Sequence, residues 1–354
     1  MNFRKKTVKD INLKGKTVLL RADFNLPLTE DGKIASDYRL KQAMPTISYL
    51  LEQNCRVIIC SHLGRPEGKR NLEFSLAPVA KQLGKYLEEK VYFVADTVGA
   101  AVETAVKHLK PKEVLVLENL RFYAEEEQNN KDFAKQLAGL ADVFVEDGFG
   151  IVHRAHASTE GVTHYLPSVA GLLLEKEVST INNILVVPKR PLMAIVGGAK
   201  IVDKIEILEK FIKLADIVVI GGAMANTFLR AKGIDIAKSL SEPADVPLAK
   251  SILRSAEAES KNRTFSFYIP QDSVVANKID KTAQTRIVDW DSRVIATLEN
   301  YPKLPPKSAS KLNANEIILD IGPYSGAFIA GSIQMVNTVI WNGTMGVTET
   351  PSIN

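Results

Sequence analysis

Short apolar runs recur along the chain, separated by longer stretches whose apolar positions return every three or four residues. The runs are TVLLRADF, RVIICSH, VYFV, VLVLENL and DVFVED in the first half, then LMAIVGG, DIVVIGG, FSFYIP, EIILDIG and TVIWNG in the second. They are rich in Val, Ile and Leu with little alternation, the pattern of strands covered on both faces. The stretches between them, such as SLAPVAKQLGKYLEE and NKDFAKQLAGLA, have helical spacing. Strand then helix, repeated, predicts an α/β fold with parallel sheets sandwiched by helices. Over 354 residues two doubly wound, Rossmann-like domains fit better than a single sheet. The boundary is expected in SVAGLLLEKEVSTINNILVVPKRP, a helix from about Gly171 to Ile184 ended by the turn signal Pro188–Pro191. The expected division is residues 1–170, a hinge helix over 171–187, and 188–354.

Composition narrows the class without naming a function. Hydrophobic content of 45% and charged content of 24% are those of a water-soluble globular chain. No apolar stretch approaches the roughly 18 residues of a membrane span, and the N-terminus lacks a signal-peptide pattern. Cys55 and Cys60, the two cysteines present, flank or lie in one apolar run. They support neither a disulfide framework nor a zinc site, and the expected setting is the reducing cytoplasm. A net charge of +4 suits an anionic partner, yet no basic tract with interleaved aromatics points to nucleic acid.

Position makes the charge informative. Ligands of open parallel sheets bind beyond the carboxyl ends of the strands. After the first run come Asp23, Asn25 and, past a turn, Arg39; after the second, His62 and Arg65. The fourth is followed by Asn119 and Arg121, the fifth by Arg154 and His156. Any one arginine could be a surface ion pair. Recurrence at several strand ends points to a small polyanion, because the guanidinium fork matches phosphate and carboxylate oxygens.

The second half ends its strands differently, at Gly198, Gly222, Pro323 and Gly343. Glycine lets backbone N–H groups approach a ligand, and a helix opening there makes an anion site. Lys200 and Lys204 are expected four apart on one helix face, within about the first turn, where a helix is already positive and needs a counter-charge. Neither GxxxxGK[ST] nor GxGxxG occurs, so the site is neither a P-loop nor a dinucleotide fingerprint. His153 and His156 lack partners for a metal site and suit anion contact or packing; His108 and His164 are read as structural. Glu125, Glu126 and Glu127 read as a helix start or a solvated acidic turn. No covalent nucleophile stands out, so the residues favour binding and orienting two anions.

Seven stretches, LLRADFNLPL, SHLGRP, LENLRF, HRAHAS, GGAKIVDKI, IGGAMANTFL and TVIWNGTMGV, together resemble the phosphoglycerate kinase family in order and spacing, from about residue 7 to residue 349. The resemblance implies phosphoryl transfer between 1,3-bisphosphoglycerate and ADP, giving 3-phosphoglycerate and ATP, directly and in line after domain closure. It implies an acid site of Asp23, Asn25, Arg39, His62, Arg65, Arg121 and Arg154, with Arg21 in the same motif. It implies a Mg-nucleotide site of Gly197, Gly198, Lys200, Lys204, Gly222 and Asn342, with Glu349 on the ribose. Arg39 and Lys200 would stabilise the group in transit. The enzyme would work as a cytoplasmic monomer with Mg2+ brought by ADP or ATP, and with no nucleic-acid or membrane partner.

Some residues depart from the family pattern. Glu146 and Gly148 stand where the family usually has Asn and Ala, Thr344 where it has Pro, and Thr348 where it has an aromatic. The family also continues past the equivalent of TETPSIN with a helix, a GGGDT-type loop and a final segment. The expectation is therefore a chain incomplete at its C-terminal end, with the metal-associated Asp in the part not present and the apolar run TVIW short of covering helices. Two readings stay open: an active kinase, and a non-catalytic binding protein that keeps the acid site but cannot hold Mg-nucleotide productively. A nicotinamide dehydrogenase is opposed by the missing GxGxxG.

Overall fold

The computed structural model describes residues 5–29, 32–280, 282–290 and 311–347. The chain divides into two compact units, residues 1–183 and 184–354.

The first unit is built on strands β1 (Thr17–Arg21), β2 (Arg56–Cys60), β3 (Val91–Phe93), β4 (Val114–Val116), β5 (Val143–Glu146) and β6 (Ser168–Ala170). Its helices are α1 (Tyr38–Glu52), α2 (Ala77–Leu83), α3 (Ala100–His108), the one-turn α4 (Ala124–Glu127), α5 (Lys131–Ala138) and the start of α6 (Leu172–Val186). The sheet has the order β3-β4-β2-β1-β5-β6 and every pairing is parallel. Strand β1 lies between β2 and β5, with Leu19 opposite Ile58 and Leu20 opposite Val145. Its five residues are buried throughout, because alternate side chains serve opposite faces. Val18, Leu20, Val57 and Ile59 pack with Leu40, Ile47 and Leu50 of α1 and Val79 and Leu83 of α2. Leu19, Ile58, Leu115 and Phe144 pack with Val102 of α3 and Phe133 and Leu137 of α5. Two cores on two faces explain why these strands read as unbroken apolar runs.

The second unit carries β7 (Leu192–Val196), β8 (Ile217–Ile220), β9 (Ser266–Tyr268) and β13 (Thr338–Asn342) in one parallel sheet, ordered β13-β7-β8-β9. Helices α7 (Ile205–Leu214), α8 (Ala223–Ala231) and α9 (Val246–Asn262) cover one face and α10 (Pro323–Gln334) the other. Strand β7 is central and wholly buried. Strand β13 is an edge, with Val339 and Trp341 exposed on it.

One expectation is corrected here. EIILDIG does not join the parallel sheet: it forms β12 (Ile317–Ile321), which pairs antiparallel with β10 (Asp272–Ala276), itself antiparallel to β11 (Arg286–Asp289). Among the described residues no helix separates β10 from β11. A parallel return needs a crossover of a dozen or more residues, whereas a short link returns antiparallel. An apolar run cannot by itself distinguish the two. Among the described residues no helix is long and apolar enough to cross a membrane.

Candidate functional site

In the first unit, the ends of β1, β2, β4 and β5 bring the expected acid-site residues around one loop, Ser61–Arg65. Asn25 Oδ1 accepts from the Gly64 N–H at 2.9 Å, and Arg121 Nη1 donates to the Gly64 carbonyl at 2.7 Å. Asp23 is paired with Arg39 at the start of α1. Gly150, from the loop after β5, lies so close to Asp23 Oδ2 that a Cβ there would stand 2.6 Å away. Arg65 is exposed, Arg154 half-buried, and neither side chain is hydrogen-bonded or ion-paired to a described residue.

His62 is buried, and Arg21 Nη2 lies 3.3 Å from its Nδ1. Burial, with Arg21, Arg121, Arg154 and Arg39 nearby, drives its pKa far below the ordinary histidine range. The ring is therefore neutral. Arg121 is pulled down by burial, partly offset by its ion pair with Glu127 at 3.2 Å. His156 is lowered as well, again first by burial. Asn119, placed with the strand-end candidates, is buried scaffolding: its Nδ2 donates to the carbonyls of Leu63 at 2.7 Å and Phe74 at 2.9 Å.

Sequence reasoning missed the buried carboxyls beneath this loop. Glu126 is not solvated but 1% exposed. Its Oε1 accepts from Ser158 Oγ at 2.6 Å and its Oε2 from Ser158 N–H at 3.0 Å. Three consecutive glutamates look alike in composition; only the partner across the fold singles out the middle one. Glu146 accepts from Gly148 N–H at 2.8 Å, while its Oε2 has no hydrogen-bond partner among the described residues. Burial, only partly offset by Arg21, pushes its carboxyl up to about 8. Asp147 Oδ1 accepts from the Leu173 and Leu174 amides at 2.9 and 3.1 Å, capping the start of α6. Burial pushes its carboxyl up to about 7.

In the second unit, the ends of β7, β8 and β13 meet at Gly197–Gly198, Gly221–Gly222 and Gly343–Thr344. Gly197 N–H donates to the Asn342 carbonyl at 2.8 Å, Gly222 N–H to Met345 at 2.7 Å, and Met224 N–H to Gly198 at 2.9 Å. A cavity of about 240 Å³ opens beside these turns, lined in part by Gly198, Gly222, Asn226, Asp320, Thr344 and Met345. The two lysines correct a second expectation. They do not share a helix face: Lys204 ends a 3-10 turn, Val202–Lys204, Lys200 lies in the loop before it, and α7 opens only at Ile205. Gly198 has φ +140°, so the chain leaves β7 through a glycine-only bend before any helix can start. The helix that opens directly after a glycine pair is α8, behind Gly222. Lys204 Nζ donates to Asn342 Oδ1, joining the 3-10 turn to the end of β13, whereas Lys200 is exposed. Glu349 lies outside the described residues.

Arginines gathered at the strand ends of one parallel-sheet unit, and glycine turns beside a cavity at the strand ends of another, make an α/β protein with two candidate anion sites. Residues 8–354 match the family model for phosphoglycerate kinase. The phosphoglycerate kinase of Moorella thermoacetica is 46% identical over 345 residues, covering 98% of this chain and 82% of that one. That of Chloroflexus aggregans is 45% identical over 349 residues with the same coverage. Among solved structures, phosphoglycerate kinase from Coxiella burnetii matches with TM-score 0.72 at 36% identity, over 99% of this chain and 82% of that one. The Pyrococcus horikoshii enzyme matches with TM-score 0.78 at 29% identity, over 98% and 83%. The chain belongs to the phosphoglycerate kinase family. It is a phosphotransferase, acting between 1,3-bisphosphoglycerate and ADP to give 3-phosphoglycerate and ATP. These matches do not favour the non-catalytic alternative.

Proposed function

We propose that the first unit binds the glycerate substrate through Asp23, Asn25, Arg39, His62, Arg65, Arg121 and Arg154. The second binds the nucleotide through Gly197, Gly198, Lys200, Lys204, Gly222 and Asn342, with Glu349 assigned to the ribose by the family resemblance. The observation that carries this reading is the gathering of four arginines around neutral His62, a concentration of fixed positive charge that a small phosphate-bearing acid would neutralise. In the ATP-forming direction a β-phosphate oxygen of ADP attacks the phosphorus of the acyl phosphate, and the carboxylate of 3-phosphoglycerate leaves. Little covalent chemistry falls to the protein; alignment and charge stabilisation dominate such transfers. Arg39 and Lys200 are the groups we assign to the phosphoryl in transit. Arg39, held by Asp23, exchanges that carboxylate for the incoming anion.

Among the described residues, no group of three or more His, Cys, Asp or Glu side chains could hold a metal ion. These residues do not fit a protein-built magnesium site, and Mg2+ is read as arriving with the nucleotide phosphates. The protein is further read as a cytoplasmic monomer with small-molecule partners, without nucleic acid or membrane, which sedimentation and fractionation test.

Titration calorimetry with 3-phosphoglycerate tests the acid site. Arg39→Ala and Arg65→Ala are each expected to weaken binding by about tenfold or more, the loss of one charge-assisted contact. Wild-type affinity in both variants would overturn the assignment. Lys200→Ala is expected to lower kcat in a coupled assay without changing acid affinity.

A further inference from the structure

We propose that Ser158 and Glu126 are positioning residues of the acid site, which act through Arg21 to fix His62 as the tautomer carrying its proton on Nε2. The proposal rests on the reading that His62 contacts the glycerate substrate, and it assigns roles to two residues outside that contact set.

Four buried side chains form one continuous chain. Glu126 Oε1 accepts from Ser158 Oγ at 2.6 Å, and Ser158 Oγ accepts from Arg21 Nε at 2.9 Å. Arg21 Nη1 donates to the Ala22 carbonyl at 2.6 Å, and Arg21 Nη2 lies 3.3 Å from His62 Nδ1. None of the four is more than 3% exposed, so water offers no competing partner. The direction of every bond follows from what each group can give. Among the described residues Glu126 Oε1 is the one acceptor Ser158 Oγ meets, so the single serine proton is spent there, leaving the oxygen free to accept from Arg21. Guanidinium only donates, so His62 Nδ1 must accept, and the one proton of a neutral imidazole is left on Nε2.

Geometry also shows why Ser158 is a firm anchor. Its backbone N–H donates to Glu126 Oε2 at 3.0 Å, and the neighbouring Ala157 N–H donates to the Glu126 carbonyl at 2.9 Å. Glu126 thus binds backbone and side chain of the segment that follows Arg154 and His156. The charges that act most strongly on His62 are Arg21, Arg121, Arg154 and Arg39. All are cations, so all oppose a second ring proton. The site therefore offers a neutral N–H donor among permanent cations, and its aim depends on a serine that touches no ligand.

Two-bond 1H–15N correlation spectra of histidine-labelled protein read the tautomer directly. Wild-type His62 is expected as the neutral Nε2–H form at pH 7, unchanged from pH 5 to 8. In Ser158→Ala the arginine Nε loses its acceptor. His62 is then expected to show mixed tautomers, and KM for 3-phosphoglycerate to rise about tenfold, the loss of one buried hydrogen bond. KM for ATP is expected to stay put. Glu126→Gln should move both readouts the same way, and Ser158→Thr, which keeps the hydroxyl, should restore them. A wild-type His62 found as Nδ1–H or as imidazolium overturns the proposal. So does a Ser158→Ala protein with unchanged tautomer and unchanged KM for the acid. Wild-type His62 resonances that ignore saturating 3-phosphoglycerate, with the Nε2–H form present, would overturn the acid-site reading itself and with it the role given to Ser158.

Discussion

Gly222 has φ +67°, and a Cβ there would stand 2.6 Å from both the N and the O of Gly198. Gly222→Ala therefore meets two penalties at once, an essentially glycine-only backbone with ψ −171° costing roughly 1–3 kcal/mol and a clash with backbone that cannot rotate aside. The expected outcome is a loss of nucleotide affinity with 3-phosphoglycerate affinity retained, read by separate titrations. Glu146 sets a pH dependence instead. Its carboxyl sits at about 8 in the folded chain against an ordinary 4.5. Between those values the folded chain keeps a proton that the unfolded chain has released. Its contribution to stability is whole below about pH 4.5 and is lost as pH rises through 8. Glu146→Gln is expected to flatten this fall and to exceed wild type at pH 8.5 by on the order of a few kcal/mol, measured by urea unfolding at pH 5 and pH 8.5. The residues at strand ends were legible in the sequence because position after an apolar run has a physical meaning in parallel sheets. Glu126 and Ser158 were not, since their significance lies in a pairing across the fold that no local pattern encodes.

At the scale of elements, the helix beginning at Leu172 shows how one side chain ties a strand end to the segment that follows. Asp147 stands just past β5 and takes the first-turn amides of Leu173 and Leu174, the role of a capping residue although it is distant in sequence. Asp147→Ala is expected to cost about 1 kcal/mol or more and to speed exchange of those two amides; Asp147→Asn, which keeps an acceptor, should cost less. Hydrogen exchange followed by NMR resolves the two. The central strands of both parallel sheets, β1, β2, β7 and β8 among them, were readable because they are buried on two faces and so carry an unbroken apolar run. The antiparallel trio was not, because β12 is as rich in Ile and Leu as any parallel strand and an apolar run carries no strand direction. The start of α7 was misplaced for a related reason. Lysine spacing suggested a helical face, but the bend at Gly198 delays the helix to Ile205.

At the scale of the whole molecule, each unit owns its core, and each candidate ligand site draws on residues of a single unit. Ligands are therefore expected to stabilise the units separately. In calorimetry, 3-phosphoglycerate at about 100 times its Kd should raise the stability of the first unit by about 2.7 kcal/mol. ADP should act on the second. A single transition shifted equally by either ligand would count against this. The pairing of β13 with β7 also has a consequence in time. Thr338 must find Leu192, so the second unit's parallel sheet acquires β13 only after the intervening residues 193–337 have been synthesised. The first unit's sheet has all its strands once Ser168–Ala170 have been made. Units generally fold in order of synthesis, and long-range pairing is slow. On the ribosome the strand-end arginines are expected to gather early, and the turn at Asn342–Thr344 to join Gly197 and Gly222 only after β13 has been made. A nascent chain is thus expected to accept glycerate well before it accepts ADP.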